Sequence, residues 1–124
     1  LNYYNSLIKN SEFVISGLTS FMLESCIFYK QTIVLAHKEK GNITSPDIVY
    51  KNYVHFNKIS EIPLINICFD LNDLKDYCIK CFINNHTAYD YNKLKLRDDS
   101  INNYVYNDNL SIRKRLSNII DAII

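Results

Sequence analysis

The stretch from Ser11 to Lys38 constrains the fold more than any other part of the chain. Val14, Leu18, Phe21, Phe28 and Leu35 recur at steps of three, four or seven. Leu18, Met22, Cys26, Tyr29 and Ile33 form a second row at steps of four and three. Two adjacent rows make an apolar surface wider than an ordinary amphipathic stripe. The spacing therefore predicts a central helix over about residues 11–39 that needs partners on several sides. Asn10 or Ser11 would cap it, with Glu12 in its first turn. Lys38-Glu39-Lys40-Gly41 would end it, since cations suit a helix C-terminus and Gly41 can take the left-handed closing conformation. A membrane span is the competing reading of this stretch. It would bury Glu24 and Lys30, at about 2.5–3.5 kcal/mol each on insertion scales, so no membrane is expected.

The rest of the chain reads as partners for that helix. Leu1, Tyr4, Leu7 and Ile8 predict a short first helix ending near Asn10. Thr44-Ser45-Pro46-Asp47 is a clear start signal: Ser45 caps, Pro46 fits the first helical position and Asp47 meets the positive end of the dipole. Val49, Tyr53 and Phe56 form one face of that helix, which should end before Pro63. Leu64, Cys68, Leu71, Leu74, Cys78 and Cys81 make a seam at steps of three and four. Leu64 to Phe69 alone would suit a buried strand, but the longer seam favours one helix with a kink near Asp70, where Asp70 to Asp73 could cap a fresh start. Between His86 and Asn109 the period is poor, and a short hairpin within 89–106 competes with a helix after Thr87. Asp98-Asp99-Ser100 would be the turn of that hairpin. Ile112, Leu116, Ile119, Ile120 and Ile123 predict a final helix.

The expected fold is therefore all-α: one domain, residues 1–124, as a compact bundle of four to six helices. With 124 residues the chain is long enough for one core and too short for two. Only two Gly and two Pro are present, too few for the turns of a sandwich or barrel. Phosphate-cradling Gly-rich fingerprints are absent for the same reason. Ten Tyr, no Trp and abundant Asn, Ile and Lys point to an A+T-rich coding genome, as in some parasites and large DNA viruses. The Leu1 start suggests a segment excised from a longer chain.

Candidate chemistry is sparse. Cys78 and Cys81 form a C-x-x-C, with Cys68 before it and His86 after it. On one continuous helix, Cys68 would lie about 15 Å from Cys78 along the axis, too far to share a zinc ion. A redox pair belongs at a helix N-terminus, and this one falls near a C-terminus. The expectation is buried thiols and no metal or cofactor. Four Cys, with sequons at Asn42, Asn85 and Asn109, keep a secreted, disulfide-stapled bundle as an alternative to an intracellular, cytoplasmic protein. Among the three His, neither His37 nor His55 falls into a catalytic motif, and no catalytic residues are assigned.

By elimination the sequence points to a non-catalytic protein-protein interaction module that binds a partner protein or helix. Tyr89, Tyr91, Tyr104 and Tyr106 are its candidate contact residues, since aromatics with a polar tip are enriched at interfaces. A nucleic-acid-binding helical domain is the alternative, through Lys93, Lys95, Arg97, Arg113, Lys114 and Arg115. A net charge of +1 and a pI near 7.8 weigh against it.

Overall fold

The computed structural model describes residues 2–56, 58–84, 99–101 and 112–123. Helix α1 (Asn2–Asn10) is followed by strand β1 (Val14–Ser16), helix α2 (Ser20–Ile27), strand β2 (Thr32–Leu35) and helix α3 (Pro46–Asn52). Two 3₁₀ turns, Val54–Phe56 and Ile59–Glu61, lead to strand β3 (Ile65–Cys68) and helix α4 (Leu71–Asn84). Helix α5 spans Ile112–Ile123. The three strands form one parallel sheet in the order β1-β2-β3, with Val14 opposite Thr32 and Leu35 opposite Cys68.

The expected all-α bundle is therefore wrong, and the chain is mixed α/β. The predicted central helix is instead a strand, a helix and a second strand. The physical reason lies in β2. Thr32, Ile33 and Val34 are all fully buried, so the strand is covered on both faces. A strand with two buried faces reads as a continuous apolar run, and any period can be laid through such a run. Its β-branched Thr32, Ile33 and Val34 are the residues that favour a pleated, crowded strand.

The helix stop that separates α2 from β2 is equally hidden. Tyr29 takes φ +60, the left-handed conformation that usually calls for Gly. Its N–H donates to the Cys26 carbonyl (3.0 Å) and the Lys30 N–H donates to the Ser25 carbonyl (3.0 Å). This is the paired closure of a Schellman motif, with Tyr in the Gly position. Gly41 is left-handed as anticipated (φ +74), but it sits in the turn after β2 and ends no helix.

The seam from Leu64 to Cys81 is also two elements, β3 and α4, joined at Phe69 and Asp70. The fresh start near Asp70 is real. Asp70 Oδ1 accepts the Asp73 N–H (2.9 Å), and Asp73 Oδ2 accepts the Phe69 N–H (2.9 Å). The first bond satisfies a donor that a helix start otherwise leaves open, and the second ties the residue before the cap to the first turn. The helix from Pro46 forms but stops at Asn52, and Phe56 reaches the core from a 3₁₀ turn. Helices α1 and α5 fall where the spacing predicts them. The strands of the expected hairpin, 93–97 and 103–106, lie outside the described residues, and of its turn Asp99 and Ser100 are helical instead.

The sheet divides the core in two. On one face Met22 and Cys26 of α2 pack with Val34, Ala36, Phe56, Ile59, Ile62, Ile65, Ile67 and Ile101. On the other, Cys81 of α4 packs with Ile33 and Cys68. Both crossover connections lie on the first face, as two crossovers of one hand must when the strand order advances in one direction. Helix α1 is tied on by the buried Ile8, by Lys9 over the Phe28 ring (5.4 Å) and by Lys30, whose ammonium donates to the Ser11 carbonyl (2.8 Å).

Candidate functional site

In a parallel sheet all strands deliver their following loops to one edge, beyond the carboxyl ends. Here that edge collects the Gly17–Thr19 turn after β1, the His37–Ser45 loop after β2 and Phe69-Asp70 after β3. These loops carry most of the polar chemistry the fold places together.

The first loop is built on hydroxyls. Ser16 is buried and donates to the Gly17 carbonyl (2.9 Å), with the Thr19 hydroxyl 3.5 Å away. The Thr19 N–H also donates to the Gly17 carbonyl (2.9 Å), which closes the turn. Thr19 then stands at the N-cap of α2 in extended geometry (φ −135, ψ 168), yet its side chain makes no capping hydrogen bond. Ser20 is exposed, and its hydroxyl lies 3.4 Å from Glu24 Oε1.

The electrostatics of the three helices that follow strands differ. Helix α3 has Asp47 in its first turn and α4 has Asp73, but α2 has no acid there. A helix N-terminus carries roughly half a positive charge. In α3 and α4 the first turn carries its own carboxylate; in α2 it does not, and the Glu24 carboxylate approaches from one turn further on, through Ser20.

The second loop is a folded polar knot. His37 Nε2 lies 3.4 Å from Glu39 Oε1, both side chains being about half exposed. Asn42 Nδ2 donates to Glu39 Oε2 (2.6 Å), and Asn42 Oδ1 accepts from the Thr44 N–H (3.0 Å) and hydroxyl (2.9 Å). Ser45 is buried; its hydroxyl accepts the Glu39 N–H (2.7 Å) and donates to the Asp47 carboxylate. That last bond holds the Asp47 carboxyl below its ordinary pKa. Lys38 and Lys40 are exposed on the same loop.

The cysteines are placed differently from the expectation. Because α4 folds back over β3, Cys68 and Cys81 share one buried cluster, with Cys78 at its margin. The separation of about 15 Å expected along a single helix does not exist, since a strand and a helix replace that helix. No disulfide joins any of the four cysteines. Burial pushes the thiols of Cys68 and Cys81 up from their ordinary pKa, away from the reactive thiolate. Among the described residues, no group of three or more His, Cys, Asp or Glu is placed to hold a metal ion. None of the described helices is long and apolar enough to cross a membrane.

Of the other residues singled out from sequence, Tyr89, Tyr91, Tyr104, Tyr106, Lys93, Lys95 and Arg97 lie outside the described residues, as do Asn85 and Asn109. Arg113, Lys114 and Arg115 lie on α5, with Lys114 exposed. His55 is stacked on Tyr53 (5.7 Å between ring centres) and tilted against Phe56 (4.2 Å). Sequence reasoning missed the Ser16–Ser20 loop. Its signal was present: a Gly inside an assumed helix, followed closely by Thr-Ser, two residues that favour caps.

Compared with known proteins, the chain matches no family model, and no curated protein or solved structure is significantly similar to it.

Proposed function

We propose that this chain is a ligand-binding α/β unit that takes a small polar molecule bearing an anionic group, a phosphate or a carboxylate, at the carboxyl edge of its sheet. The observation that carries this reading is the acid-free first turn of α2 with the Thr19 hydroxyl at its N-cap making no capping bond, on the edge that collects the loops after all three strands. The His37–Glu39 pair and Lys38 lie in the loop after the adjacent strand and would face the remainder of the ligand. The reading stays non-catalytic and assigns no reaction. It exchanges the macromolecular partner expected from sequence for a small one.

Titration of the isotope-labelled chain with inorganic phosphate and with a nucleoside monophosphate tests it. Amide shifts centred on residues 17–22 are expected at millimolar ligand, about 4 kcal/mol of binding free energy. Thr19→Asp should abolish them by placing a carboxylate where the anion would sit. The same substitution should leave the fold as stable or firmer, because Asp is at least as good an N-cap as Thr. Shifts that survive Thr19→Asp, or none at about 10 mM, a binding energy near 3 kcal/mol, would overturn the proposal.

A second reading, contact with another protein, is favoured by one observation. Ile79, Phe82 and Ile83 lie on one side of α4 at 50%, 59% and 68% exposure. Apolar side chains grouped in this way mark contact surfaces more often than isolated ones do. Replacing Ile79 and Ile83 by Lys should leave the fold intact and abolish any concentration-dependent association seen by sedimentation. Unchanged association would remove this reading.

A further inference from the structure

We draw no further inference here: the strongest candidate, the exposed apolar side of α4 formed by Ile79, Phe82 and Ile83, carries nothing more because nothing in the structure shows what covers it.

Discussion

The two faces of the sheet are closed to different degrees. Under α2 and the 3₁₀ turns, Met22, Cys26, Val34, Ile59 and Ile62 are almost wholly removed from water. Under α4, Ile33, Cys68 and Cys81 are buried, while Leu74, Tyr77, Cys78 and Phe13 are only partly covered. Strand β1 records the same contrast within three residues: Val14 and Ser16 are buried and Ile15, pointing the other way, is 47% exposed. Composition does not explain this, since the thinner side of β2 carries Ile33 and Leu35 and the closed side Thr32 and Val34. Topology does. Each crossover must return on the same side, so that side receives two connections, while the described cover of the opposite side comes chiefly from the helix after β3. Helix α4 reaches β3 and β2 but does not extend its cover to Ile15.

Truncations of similar size on the two faces should therefore cost unequal amounts. Ile62→Ala, in the closed layer, is expected to lose about 2–5 kcal/mol by chemical denaturation, because it opens a cavity with little room to collapse. Leu74→Ala, on the partly covered side, should lose about 1–2 kcal/mol, in proportion to the smaller area withdrawn from water. Equal losses would mean that the second face is closed in solution by something beyond α4.

The thinner face depends more on how α4 is anchored. Asp70→Ala removes the acceptor for the Asp73 N–H and should cost about 1 kcal/mol. The effect should be local. The Cys68 thiol donates to the Asp70 carbonyl (3.2 Å), so fraying of this turn exposes it. Alkylation of Cys68 in native buffer, measured by peptide mass mapping, should rise about fivefold, the factor that 1 kcal/mol supplies. Cys26, on the other face, serves as the control. A matching rise there would show that the two layers open together and that the contrast between them has no dynamic meaning.

The same contrast explains which parts of the fold were legible in the sequence. The start of α4 was visible because Asp70 and Asp73 satisfy backbone donors with side chains, and side chains are what a sequence displays. The start of α3 was visible for another reason: Pro46 stands at the head of the helix and Asp47 in its first turn, while the Ser45 side chain, expected to cap it, makes no capping bond. The end of α2 was not, because its closure is made of backbone bonds around a left-handed Tyr29, and nothing about Tyr announces that conformation. With that stop unseen, β2 was absorbed into a helix, and the carboxyl edge with its Ser16–Ser20 loop disappeared with it. The conformation leaves a measurable trace. Tyr29→Gly and Tyr29→Ala both delete the ring, but only Gly is unstrained at φ +60. The Gly variant should be the more stable of the two by about 1 kcal/mol. Equal stabilities would mean that the left-handed turn is absent and that the boundary between α2 and β2 is drawn wrongly.

The smallest expected effect concerns the polar loop that feeds the closed face. The Ser45 hydroxyl is the largest cause of the lowered Asp47 pKa. A carboxyl with a lower pKa folded than unfolded contributes stability that is present above the unfolded value and is lost as pH falls through the folded one. Ser45→Ala should therefore be less stable than the parent chain at neutral pH. The deficit should narrow on acidification, since protonated Asp47 no longer accepts from Ser45 as an anion. It should not vanish, because the buried hydroxyl also accepts the Glu39 N–H at every pH. Ile62→Ala provides the contrast, being an apolar truncation whose cost has no reason to track the Asp47 titration. Denaturation of both variants from neutral pH into the acid range separates the two behaviours. A Ser45→Ala deficit that stays constant with pH would show that the hydroxyl matters only to the Glu39 amide, and that the carboxylate of Asp47 serves the N-terminus of α3 without it.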